Sequence, residues 1–280
     1  MNSLKKQQLL LKTYLETARA SLSGKPDGHL TISRSHNSDQ FYHRTSIFEK
    51  KGVYLSKKDK ELISALAQKD YDQKFIAAAE DLFRKNSTLI QMGAEREIHY
   101  FYQDLAQVYT DLSTPRKNLV TPYVPPDDIF AASWAAVRYK GKEFSENSPN
   151  FYTEKRERVR SKSEIMIADK LLGMNLPYRY EFPLYTKLLG TTHPDFTILD
   201  VWNRTVKIFE HFGRLDSENY RYKMVRKMEA YRQEGFYLGV NFLFTMETNN
   251  QPLDITYFVD LIKKHFPYAN LERSEDPRID

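Results

Sequence analysis

Leucines at Leu4, Leu9, Leu11 and Leu15, followed by Ala18, recur at broadly helical spacing and predict an opening helix over residues 3–22. The Gly/Pro run Gly24-Lys25-Pro26-Asp27-Gly28 breaks it. His29 to Ser35 and Gln40 to Phe48 then read as a two-stranded ribbon around the turn-forming Ser35-His36-Asn37-Ser38-Asp39, and Val53-Tyr54-Leu55 as a further short strand. From Ser56 the pattern turns helical, with Asp59 three residues on as an approximate capping arrangement. Leu62, Leu66, Tyr71, Ile76 and Leu82 carry that helix to about Arg84, and a further helix is expected from about Ser87 to Leu112. Residues 1–112 thus read as a mainly helical module with a short β-ribbon.

Residues 113–150 hold Pro115, Pro122, Pro125 and Pro126, with a helical patch at Asp127 to Tyr139. Phe130 and Trp134 want burial, so this stretch reads as a connector that wraps. Residues 151–280 form the last domain. A helix from Ser161 to Gly173 places Ile165, Ala168, Leu171 and Leu172 on one side. Strands follow at Tyr178 to Leu184, Pro194 to Leu199 and Thr205 to His211. A helix over 217–234 ends at Gly235, an apolar strand covers Phe236 to Thr245, and a helix from Asp254 to Phe266 closes the chain. The order is helix, three strands, helix, strand, helix, which predicts an α/β sheet with helices on its faces.

Composition narrows the function classes. The chain has no cysteine, which removes disulfides and thiolate zinc sites and makes a cytoplasmic location the simplest expectation. No apolar run reaches the roughly 20 residues of a membrane span, and the first residues lack a secretory pattern. There is no P-loop, dinucleotide-binding turn, nucleophile elbow or HExxH, so nucleotide hydrolysis, redox chemistry and zinc proteolysis have no basis in the sequence. The net charge of +5 is compatible with a polyanion. Basic residues concentrate at Arg138, Lys140, Lys142, Lys155, Arg156, Arg158, Arg160 and Lys162. They are either a solvated surface or a phosphate-contacting strip, and Arg156, Arg158, Arg160 and Lys162 are the nucleic-acid contacts the second reading names.

One pairing carries chemistry. If Thr205 pairs with Asp200 across Val201-Trp202-Asn203-Arg204, paired numbers sum to 405 and Asp195 stands opposite Glu210. Opposed residues of an antiparallel pair share a face with Cβ atoms ~4.5–5.5 Å apart. Two carboxylates that close repel unless a cation lies between them, and Mg²⁺ (or Mn²⁺) with its oxygen ligands suits the arrangement. The plainer alternative is an edge hairpin whose acids face water or pair with arginines.

His193-Pro194-Asp195-Phe196 and Phe209-Glu210-His211-Phe212-Gly213, with this order of elements, resemble the PD-(D/E)XK nuclease superfamily over residues ~155–247. The likeness is strongest to the branch in which Glu-His-x-Gly or similar follows the second acid. It implies a restriction-endonuclease-like core (helix, three-stranded meander, helix, strand) and a metal-dependent nuclease, most readily one that cuts DNA. The cation would sit on Asp195, Glu210 and the backbone carbonyl of His211. The usual lysine two positions after the second acid is Phe212 here, and in related members the following helix supplies it. Lys227 is the first choice and Lys223 the second, with Tyr220 and Tyr231 at the branch's spacing. Ser161 and Glu164 form a capping box, and the resemblance also gives Glu164 an outer metal role. Both readings stay open. Glu181 ranks below Glu164 as a supporting acid. His211 contacts phosphate or is structural, and Gly213 lets the chain turn out of the sheet. Two rivals remain. One is a degenerate nuclease fold serving as a DNA-binding or protein-interaction scaffold. The other is a partner-binding role for the first module, rich in Tyr100, Tyr102 and Tyr109. A homodimer is also compatible with the resemblance.

Overall fold

The leucine spacing does produce a helix, α1 (Ser3–Leu22), which buries Leu4, Leu11, Leu15 and Ala18 and leaves Leu9 exposed. The computed structural model describes residues 3–46, 52–94, 100–146 and 148–269. It is a mixed α/β chain dividing into two units, Met1–Ile129 and Phe130–Asp280, so the division falls within the proline-containing connector.

In the first unit, β1 (His29–Ser35), β2 (Ser38–Arg44) and β3 (Val53–Leu55) form an antiparallel sheet. The expected five-residue turn is shorter. His36 and Asn37 both take positive φ (47° and 61°), a two-residue turn whose twist matches the strands, so β2 starts at Ser38 rather than Gln40. The end of the expected strand, 47–48, lies outside the described residues. Ser56 and Asp59 form a reciprocal capping box ahead of α2 (Lys60–Gln91). This helix runs through the break expected after Arg84. The Asn86 side chain, fully buried, donates to the carbonyl of Leu4, and Ser87 bonds back to Phe83, so neither starts a new helix. The first part of the helix expected from Ser87 therefore belongs to α2. Residues 95–99 lie outside the described residues, and α3 (Phe101–Thr110) and α4 (Thr114–Lys117) follow.

Helix α5 (Asp127–Ala135) crosses the division and ends before Tyr139. The second unit continues with β4 (Phe151–Tyr152), β5 (Arg158–Val159), α6 (Lys162–Gly173), β6 (Tyr178–Tyr180), β7 (Leu184–Thr186) and β8 (Gly190–Thr192). Then come β9 (Phe196–Asp200), β10 (Thr205–Phe212), α7 (Glu218–Gln233), β11 (Phe242–Met246) and α8 (Ile255–His265). The central sheet has the order β11-β10-β9-β6. β9 is antiparallel to both β6 and β10, whereas β10 and β11 are parallel, the arrangement that requires the crossover supplied by α7.

Around the sheet, two strand boundaries shift markedly and one hairpin is new. The strand from Tyr178 stops at Tyr180, because Glu181 takes a φ of 48° and turns the chain away. The next residues form the β7–β8 hairpin, which short apolar runs did not announce. β11 starts at Phe242 rather than Phe236. Residues 235–241 instead close into a turn: Gly235 and Gly239 have φ of 85° and 73°, and the Asn241 side chain bonds to Tyr237 N–H and to the carbonyl of Gly235.

Strand alternation sorts the two faces. Phe196, Ile198 and Phe209 pack with Ile167, Leu171 and Phe258 from α6 and α8. Ile208, Phe212 and Phe242 pack with Tyr231 of α7 on the other. No described helix is long and apolar enough to cross a membrane.

Candidate active site

The β9–β10 register is Thr205↔Asp200 through Phe209↔Phe196, each pair summing to 405. Asp195 lies just before β9, and its carboxylate accepts the backbone N–H of His211 at 2.7 Å. Phe196 and Phe209 face α6 and α8. Asp195 and Glu210, one residue along, therefore turn to the face covered by α7.

Glu210 is 2% exposed and fully engaged. The Lys227 ammonium lies 2.7 and 2.8 Å from its two oxygens, and the Tyr231 hydroxyl donates at 2.6 Å. These residues are four apart, so α7 presents both to one spot. Lys227 Nζ also reaches the carbonyl of His193 at 3.4 Å. Burial and the charge of Glu210 push the Asp195 carboxyl well above its ordinary range. For Lys227, burial acts downward, but Glu210 and Asp195 outweigh it and raise its pKa. Burial and Glu210 raise the Tyr231 phenol, which stays a donor. Tyr220 is raised by burial and by both acids. Lys223 is exposed and bonds to neither acid. Phe212 is buried against Phe244.

The other named residues take different positions. Ser161 caps α6 by accepting from Glu164 N–H, but the Glu164 carboxylate does not return to Ser161. It accepts instead from the backbone N–H of Arg160 (2.8 Å) and from the Tyr180 hydroxyl (2.7 Å). Its charge still reaches Asp195 and helps raise that carboxyl. Glu181, 5% exposed, lies just past β6 and pairs with Arg160 at 2.6 and 3.0 Å. Arg160 further donates to the carbonyls of Lys142 and Glu143 and stacks on Phe144. Arg158 donates to the carbonyl of Ser148 and stacks on the same ring. The expected basic strip is therefore split: Arg158 and Arg160 serve protein partners, and Arg156 and Lys162 are exposed.

Two carboxylates and a strand carbonyl form a hard-oxygen donor set. The His211 N–H points at Asp195, and a strand residue's carbonyl shares the edge of its N–H, so the His211 carbonyl lies on the Asp195 side of β10. This set fits Mg²⁺ or Mn²⁺, which take one or two carboxylates and complete the shell with water and substrate oxygens. No group of three or more His, Asp or Glu side chains among the described residues is arranged to hold a metal.

The sequence reading missed Glu247. Just past β11, it accepts from Ser163 Oγ (3.0 Å) and Leu253 N–H (3.2 Å) and lies 3.3 Å from His211 Nε2. A short turn fixes the β9–β10 register, but the β10–β11 register depends on a helical crossover, which the sequence does not measure. No family model, curated protein or solved structure matches the chain.

Proposed function

We propose that the second unit is a metal-dependent nuclease with a PD-(D/E)XK-like core that hydrolyses phosphodiester bonds, most readily in DNA. The observation that carries this reading is the meeting of Asp195, just before β9, Glu210 on β10 and Lys227 on α7, with Asp195 tied to β10 through the His211 N–H and Lys227 paired with Glu210. A buried acid beside a half-buried one, held at a cost in repulsion with a lysine on the first, is better explained by phosphoryl chemistry than by stability.

Asp195, Glu210 and the His211 carbonyl would hold the cation. When bound, it polarises the phosphodiester and lowers the pKa of a bound water. Tyr231 keeps its proton and fixes the position of Glu210 through a 2.6 Å hydrogen bond. Lys227 keeps its positive charge at neutral pH and brings from α7 the ammonium that Phe212 cannot supply from β10. That ammonium would orient the attacking water or offset the negative charge that builds on the phosphoryl oxygens as the pentavalent state forms.

The test is cleavage of single-stranded, duplex and plasmid DNA and of RNA with Mg²⁺ or Mn²⁺, for wild type, Asp195→Ala and Glu210→Ala. Metal-dependent cutting that both variants lose is the expected result. Wild type that binds DNA, binds no cation and never cuts overturns the reading in favour of a DNA-binding scaffold.

A further inference from the structure

Resting on the nuclease reading above, we propose that Glu247 is a positioning residue: through the His211 ring it fixes the backbone that holds Asp195. The His211 side chain is 3% exposed, and its Nδ1 lies 2.9 Å from Thr245 Oγ1. Its Nε2 has no aligned hydrogen-bond partner among the described residues, and Glu247 Oε2 stands 3.3 Å away. A buried ring nitrogen that stands beside a carboxylate without an aligned hydrogen bond is otherwise a cost without a return. Glu247 is itself fixed from two further directions, by Ser163 in the first turn of α6 and by Leu253 N–H. Its own N–H bonds to the carbonyl of Phe212, which ties β11 to the end of β10.

Gly213 gives this arrangement room. Its φ lies outside the left-handed region, so the turn expected of it is not what requires glycine. A Cβ there would stand 3.1 Å from Glu247 Oε1 and 3.6 Å from His211 Nε2. The glycine leaves room for the carboxylate and the imidazole to meet. A line of contacts thus runs from α6 and β11 through Glu247 and the His211 ring to the His211 backbone. That backbone's N–H holds Asp195 at 2.7 Å, and its carbonyl belongs to the donor set. Residues that orient such donors commonly change metal affinity by 10–100-fold when removed.

The test uses the full chain as wild type, Asp195→Ala, Glu247→Ala, Glu247→Gln and Gly213→Ala, with two readouts besides cleavage. The first is Mn²⁺ binding by calorimetry. Glu247→Ala and Gly213→Ala should weaken it about tenfold, with Glu247→Gln recovering most of the loss. The second, without metal, is hydrogen exchange at the His211 amide, which should quicken in Glu247→Ala and Gly213→Ala while distant strand amides stay protected. Should Glu247→Ala fail to fold, Gly213→Ala retains every side chain and decides the matter. Wild-type Mn²⁺ affinity or unchanged His211 exchange in the folded variants overturns the positioning role and leaves the nuclease reading standing. If wild type binds no more Mn²⁺ than Asp195→Ala, the nuclease reading fails and the positioning role falls with it.

Discussion

Replacing Lys227 with methionine isolates the electrostatics of the site, because the stem's packing survives and only the ammonium is lost. In wild type that ammonium touches both oxygens of Glu210, whose side chain is 2% exposed, with the Asp195 carboxyl acting on the same lysine. Without it, Glu210 keeps one hydrogen bond, from Tyr231. Stranding one member of a buried ion pair costs about 3–5 kcal/mol. The lysine side chain is 27% exposed, so water takes over part of its work and the cost falls somewhat below that range, to about 2–3 kcal/mol. At about 2–4 °C per kcal/mol for a unit of this size, the melting temperature should fall by about 5–10 °C near neutral pH with metal chelated.

The same geometry fixes how conditions act on that deficit. Added Mg²⁺ should shrink it, because a cation replaces the missing charge. Acidification should shrink it as well, because the Asp195 carboxyl, raised by burial and by Glu210, then holds its proton and its repulsion with Glu210 is relieved. The lysine's own pKa is raised, so its stabilisation is intact below the ordinary lysine value of 10.5 and disappears only as pH rises through the raised value. Thermal melts of Lys227→Met and wild type, with chelator or Mg²⁺ at neutral and mildly acidic pH, check all three expectations. A variant that melts within about 1 °C of wild type in chelator would refute the reasoning, since no buried pair of this kind could then be contributing.

Asp195→Asn should stabilise the metal-free protein near neutral pH while abolishing cleavage. Burial and Glu210 raise this carboxyl, so the native state holds a proton that the unfolded chain releases, and stability falls as pH climbs from 3.8 through the raised value. A melting temperature for Asp195→Asn that is lower than wild type near neutral pH contradicts this. Tyr231→Phe keeps the ring and loses one donor to a buried carboxylate, which should cost about 1.5–3 kcal/mol in chemical denaturation. An unchanged midpoint counts against the bond. Arg160→Ala strands the buried Glu181 and should lower stability by about 2–3 kcal/mol. Arg156→Ala and Lys162→Ala should leave stability intact, weaken DNA binding and reduce the salt slope by about one per phosphate contact. Equal DNA-affinity losses for Arg160→Ala and Lys162→Ala at matched stability would contradict the division between buried and exposed basic residues.

Much of the fold was legible wherever a period or a short turn sets the geometry. The stripe Leu4-Leu11-Leu15-Ala18 gives α1, and the turn after Asp200 gives the β9–β10 register. Misreadings fall where side chains overrule local pattern. Asn86 and Ser87 look like a helix start, but the first bonds to Leu4, 82 residues away, and α2 continues. The apolar run from Phe236 looks like strand until Asn241 folds it into a turn. The basic strip between Arg156 and Lys162 looks continuous, yet Glu181 and Phe144 take two of its members. Such contacts join distant parts of the chain, and periodicity carries no information about them.

The site separates the same two kinds of information. A strand register of summed numbers sets Asp195 and Glu210 next after the Phe196↔Phe209 pair, whereas the preference for Lys227 over Lys223 comes from the resemblance's spacing and not from helical periodicity. Both lysines lie one turn apart on α7, so the sequence places them on the same helical face. What separates them is where α7 crosses β10. That crossing is set by apolar packing: Tyr231, Met224 and Met228 seat the helix on Ile208, Phe212 and Phe242. Phe212 therefore serves the site indirectly. Where a lysine would have reached Glu210 along the strand, the phenylalanine helps seat the helix that brings Lys227 and Tyr231 to the same carboxylate. Restoring a lysine at 212 would place a buried cation in that apolar seat, loosen α7 and release the residues that now hold Glu210. Phe212→Lys should therefore lower activity, and it should do so even in a chain that retains Lys227.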